Sequence, residues 1–158
     1  MNVLAIGNET KEINFAIFGG EILKECGKIE IVENLILHDS IYTTLKEHKI
    51  AFVVLQAIDF TKTKRSRALE LVRVRTIIKL VCEKLGVVYT TPSTYGFDRF
   101  FFGDKIQKKK LEKEKLKITN DIFDLSNTNV DLANAIMLGW SFARNEYKVF
   151  KGEFYGLW

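Results

Sequence analysis

Cysteine, histidine and proline are scarce in this chain of 158 residues, which carries two, two and one of them respectively. Cys26 and Cys82 stand far apart, with no CxxC or Cys/His spacing, so a disulfide framework and a structural zinc site are excluded and both read as reduced packing residues. His38 and His48 have no serine, cysteine or acid in a triad-like context and read as surface or capping residues. The glycine pairs in "FGG" and "FFGD" lack the lysine and spacing of a phosphate loop, while Ser93, Thr94 and Ser126 lack the glycines of a nucleophile elbow. Long apolar runs are missing too: "IAFVVLQAI" falls well short of the roughly 20 residues that cross a bilayer. The opening "MNVLAIGNET" has no basic lead-in, so a soluble, cytoplasmic chain with no membrane partner is expected.

What is present fits one globular domain, 1–158, with 47% hydrophobic residues and neither a low-complexity tract nor an internal repeat. The net charge of +4 is unevenly spread. "DKIQKKKLEKEKLK", 104–117, has seven lysines against three acids, and "TKTKRSRALELVRVR", 61–75, has six basic residues against Glu70. Taking +4 and +5 from the total leaves −5 on the remainder, so two basic segments sit on an acidic body. Such segments suit a phosphate backbone. For the first of them a solvated helix face is the simpler account, because "EKEK" pairs its charges internally.

The order of elements is legible. "NVLAI" is a short buried strand, and "INFAIFGGEILKECGKIEI" alternates around Gly19 and Gly20 as a hairpin leading into a third strand. Residues 32–48, with Leu35, Ile36, Ile41 and Leu45, form an amphipathic helix starting near Asn34 or Asp39. "IAFVVLQAI" is apolar throughout, as a parallel strand buried on both faces should be. Leu69, Val72, Ile77, Leu80 and Val81 mark a helix over Arg65–Leu85, stopped at Gly86, and "VVYTT" is a fifth strand. Pro92 opens the loop "PSTYGFDRFFFG", whose four phenylalanines exceed what an exposed loop carries. A last helix runs over about 131–147. Three antiparallel strands followed by two helix-strand units make a mixed five-stranded α/β sheet with flanking helices.

With that order on the page, the chain resembles the RuvC-like branch of the ribonuclease H-like fold, whose members include Holliday junction resolvases. "NVLAIGNETKEINFAIFGGEILKECGKI" is similar to that family's opening strand and hairpin, "FVVLQAI" to its fourth strand and "NVDLANAIMLGWSFA" to its closing motif. The resemblance implies four carboxylates around two Mg²⁺ ions that activate a water and stabilise a leaving oxygen. Here those positions fall on Gly7, on Leu55 or Gln56, on Asp131 and on Asn134, so Asp131 is the one acid left. A single, weak metal ligand implies a degenerate member with no intact catalytic set and no cofactor.

Three functions follow as expectations. The first is binding of structured or branched DNA or RNA without cleavage. Lys62, Lys64, Arg65, Arg67, Lys105, Lys108, Lys109 and Lys110 would hold phosphates, and Tyr95, Phe97 or Phe100 would stack on bases. The second is a divergent Mg²⁺-dependent nuclease in which Glu9 and Asp59 join Asp131. The third is a protein-interaction or structural module, in which the aromatic tail Phe150, Phe154, Tyr155 and Trp158 packs on its own domain or forms a homodimer contact. Asn8, Asn14, Gln56 and Asn134 make an uncharged polar set, able to hydrogen-bond a ligand but poor at organising a metal.

Overall fold

The computed structural model describes residues 1–8, 11–31, 33–92, 98, 102–103, 107–126 and 128–144. Its first strands are β1 (Asn2–Ile6), β2 (Glu12–Gly19) and β3 (Ile22–Glu30). They form an antiparallel meander, because Gly20 adopts the left-handed φ of +60° that a tight hairpin needs. A register shift between Ile17 and Phe18 bulges the β2–β3 pair. β4 (Ile50–Leu55) and β5 (Val88–Thr90) are added in parallel, giving the order β3-β2-β1-β4-β5. The expected fold class is the observed one: three antiparallel strands, then two parallel strands, each reached through a helix.

The pleat decides which helix each strand residue meets, since successive side chains point to opposite faces. Leu4, Ile6, Ile13, Phe15, Ile17, Val53 and Leu55 pack on one face against α1 (Asn34–Glu47) and α2 (Arg65–Leu85). Val3, Ala5, Ala16, Phe18 and Val54 pack on the other face against α4 (Val130–Ala143), with Phe123 of α3 (Lys108–Phe123) beside them. Each fully buried Phe, Leu or Ile contributes about 1.5–3 kcal/mol of transfer free energy. Both faces of the sheet are therefore covered.

Two helix faces differ from expectation. In α1 the buried residues are Leu37, Ile41 and Leu45, while Leu35 and Ile36 are exposed. α2 buries Ala68, Leu71, Val74, Arg75, Ile78, Val81 and Cys82 and exposes Leu69, Val72 and Leu80. Its sequence has two apolar stripes, and periodicity alone does not say which one meets the sheet. The expected stop at Gly86 is observed, with a φ of +67°. α4 ends at Ala143 rather than near 147, capped by Arg144, and the later residues lie outside the described set. Among the described residues no helix is long and apolar enough to cross a membrane.

Candidate functional site

The carboxyl ends of β1 and β4 meet at one edge of the sheet. Gly7 N–H donates to Asn14 O at 2.9 Å, and Gln56 N–H donates to Ile6 O at 2.9 Å. Both bonds continue the registers Ile6↔Phe15 and Ile6↔Leu55 by one residue, so Asn14, Gly7 and Gln56 form a row across three strands. Alternation places that row on the α4 face, with Ala5 and Val54 before it. Leu55, 0% exposed, belongs to the opposite core, so Gln56 is the β4 residue that shares the row's face.

α4 reaches this row because its far end is fixed on the sheet. Phe142 stacks on Phe52 with centroids 5.6 Å apart, and a Cβ on Gly139 would stand 2.9 Å from Ala5 Cβ. Eight helical residues from Phe142 back to Asn134 span about 12 Å. Four strand residues from Phe52 to Gln56 span about 13 Å, so α4 is long enough to extend from Phe52 toward the row's end of the sheet. Asn129 starts the helix, its Oδ1 accepting from Leu132 N–H at 2.8 Å. Asp131, in the first turn, is exposed.

Asn134 is already engaged. Lys115 of α3, 4% exposed, donates from Nζ to Asn134 Oδ1 at 2.9 Å and forms an ion pair with Asp98. Burial pushes the Asp98 carboxyl above the usual range, with Lys115 pulling the other way. On the α2 side, the guanidinium of Arg75, 8% exposed, donates to Asn8 Oδ1. Asn8 in turn donates from Nδ2 to Ala57 O at 2.6 Å, and Arg67 Nη2 donates to Asn8 O at 3.3 Å. Among the described residues, two buried cations from two different helices, Arg75 and Lys115, thus engage Asn8 and Asn134.

Of the expected site residues, the structure brings Gly7, Asn14 and Gln56 into one row, while Asn134 stands on α4, which packs on the same face of the sheet. Asn8 turns aside to Ala57 and Arg75. Asp59 is committed to its own turn, accepting from Thr61 N–H at 3.0 Å and from Thr61 Oγ1 at 2.6 Å, with Lys62 Nζ at 3.4 Å. The Thr61 hydroxyl chiefly holds its carboxyl below the usual range. Among the described residues no three of His, Cys, Asp and Glu gather as ligands of one ion. Glu9, Lys105, Tyr95, Phe97, Phe100 and the tail residues Phe150, Phe154, Tyr155 and Trp158 lie outside the described residues.

The basic residues border the same edge. Lys62, Lys64, Arg65 and Arg67 are exposed where β4 leads into α2. Lys108, Lys109 and Lys110 are exposed in the first turn of α3, about 10 Å along the helix from Lys115. Neither helix has an acid in its first turn. Cations at the positive end of a helix dipole cost about 0.3–1 kcal/mol each, a cost that a bound anion removes.

Sequence reasoning passed over Lys115 and Arg75. Each carried a signal: Lys115 falls between Leu111 and Thr119 at four-residue spacing, and Arg75 directly follows Val74 on the stripe that α2 buries. A cation on an apolar stripe needs a partner, and both have one.

No family model and no curated protein matches the chain. Solved structures match its fold. The Thermus thermophilus RuvC structure aligns with a TM-score of 0.75 at 12% identity, covering 96% of this chain and 97% of that one. T. thermophilus RuvC in complex with Holliday junction substrate aligns at 0.73 and 12%, covering 95% and 96%. The Fowlpox virus resolvase with substrate Holliday junction DNA aligns at 0.62 and 17%, covering 92% and 99%. At these identities the likeness is one of fold: a mixed five-stranded sheet with flanking helices, shared with Holliday junction resolvases.

Proposed function

We propose that this chain is a resolvase-shaped module that binds branched or structured nucleic acid without cutting it. The observation that carries the reading is the uncharged row Asn14, Gly7 and Gln56, on the face that α4 covers, together with an Asn134 that is itself held by Lys115. Two Mg²⁺ ions require several carboxylate oxygens, one of them shared. A glycine, three amides and two buried cations do not fit that requirement: Asp98 is already paired with Lys115, and the exposed Asp131 by itself leaves the ions' charge uncompensated. The same edge fits an anion, since two helix N-termini and their exposed lysines and arginines border it. Neighbours of the same fold are seen with Holliday junction DNA, which supports a junction as the anionic partner.

The test is titration of a labelled four-way junction, a duplex and a single strand at several salt concentrations, with Mg²⁺ and again with EDTA. Expected are junction binding that weakens linearly in log–log salt, no change with EDTA, and intact DNA after incubation with Mn²⁺. Cleavage that disappears in Asp131→Ala overturns the reading in favour of a nuclease. Absence of binding at low salt overturns it in favour of a protein-interaction module, for which the exposed stripe of Leu69, Val72 and Leu80 is the supporting surface.

A further inference from the structure

We propose that Lys115 is the resident cation of the closing motif: its ammonium holds the position and the charge that a divalent ion would take at Asn134. The inference concerns how the edge is occupied and does not depend on nucleic-acid binding. A chain that bound no DNA would leave it standing.

The argument starts from where the ammonium is. Lys115 lies on the buried side of α3, with Leu111 one turn before it and the buried Thr119 one turn after. At that position the helix supplies no solvent, and a buried ammonium without acceptors is strongly disfavoured. Its acceptors are the Asp98 carboxylate and the Oδ1 of Asn134, at 2.9 Å. Oδ1 is the atom through which residue 134 would ligate a metal, and the ammonium stands within hydrogen-bonding distance of it. Lysine suits this place because its charge is a compact point with three donors, whereas a guanidinium is a planar fork.

The charge is locally balanced. Lys115 and Asp98 neutralise each other, and Asn134 adds a neutral acceptor, so a dication arriving at Oδ1 would meet an ammonium, with the exposed Asp131 one helical turn away as the carboxylate left to it. The amide at 134 is then the matched partner of the lysine rather than a chance loss of one acid. Asp98, which precedes the start of α3, ties the arrangement to a third part of the chain. Lys115 is accordingly a positioning residue, joining α3 and α4 at the edge.

The decisive variant leaves Lys115 in place. Asn134→Asp restores a carboxylate where a metal ligand is required, and the two accounts then diverge. With a resident ammonium, the new carboxylate pairs with Lys115. The melting temperature of the full chain rises, and adding Mn²⁺ shifts it by less than about 1 °C. With an open metal position, Mn²⁺ at a hundredfold excess over its Kd would raise the melting temperature by about 5 °C or more. That metal-dependent rise in Asn134→Asp overturns the proposal. A second arm, Lys115→Met with Asn134→Asp, removes the ammonium while keeping the aliphatic stem. Mn²⁺ affinity by electron paramagnetic resonance is expected to exceed that of Asn134→Asp by at least about tenfold, as freed carboxylates regain a role. Equal affinity in the two variants also overturns it. If the double variant does not fold, the Asn134→Asp melting data decide alone.

Discussion

Gly139→Ala tests how closely α4 is seated on the sheet. Two effects oppose each other. Alanine in a helix interior is favoured over glycine by about 1 kcal/mol. Against this, the added Cβ would stand 2.8 Å from both Cδ2 and Cε2 of Phe18 and 2.9 Å from Ala5 Cβ. Ordinary carbon contacts lie at about 3.5–4.0 Å, so about 0.7 Å must be found. Phe18 is fully buried, and its ring is held edge-on by Phe123 at 5.7 Å, while Ala5 belongs to the central strand. Neither neighbour can withdraw, so α4 must lift. Overpacking of this kind costs about 1–3 kcal/mol, and with both neighbours rigid the upper part of that range applies. The net loss is about 1–2 kcal/mol, or about 3–6 °C in melting temperature for a domain of this size. Urea unfolding of the two proteins measures it. A Gly139→Ala chain as stable as the parent, or more stable, refutes the seating of α4 described here.

Asn129→Ala removes the side-chain acceptor of Leu132 N–H and is expected to cost about 1 kcal/mol of unfolding free energy measured by urea titration, with a loss below about 0.3 kcal/mol counting against the cap. Burial holds Asp98 above its unfolded pKa, so the folded chain binds that proton more tightly and stability falls as pH rises from the unfolded toward the folded value. Asp98→Asn should flatten that part of the profile just above about pH 4, and an unchanged slope there refutes the assignment.

The strand order was readable because the hairpin glycines and the uninterrupted apolar stretch of β4 each permit one arrangement. Faces were harder. α2 offers two apolar stripes, and the stripe holding Ala68, Val74, Ile78 and Cys82 meets the sheet while Leu69, Val72 and Leu80 do not. That choice depends on packing with α1 and β4, which no local pattern contains. Which of Leu55 and Gln56 shares the row's face was likewise undecidable from spacing. In the structure Leu55 packs into the opposite core and Gln56 shares the row's face. Lys115 was hidden by composition, one lysine among seven in a segment that reads as a solvated face. Its distinction is positional: a long-range bond to Asn134, nineteen residues away, gives it a role that its neighbours lack.

The two borders of the sheet bear on self-association. An open strand presents unpaired amides and carbonyls on which another sheet can grow. β3 forms one border, and its exposed side chains include Lys24, Glu25, Lys28 and Glu30, beside the bulged register at Ile17 and Phe18. At the other border β5 runs for only three residues, too short to template a partner. A sheet whose interior strands are almost wholly apolar is thereby flanked by one charged, twisted edge and one truncated edge. Such edges disfavour strand-to-strand accretion between folded copies.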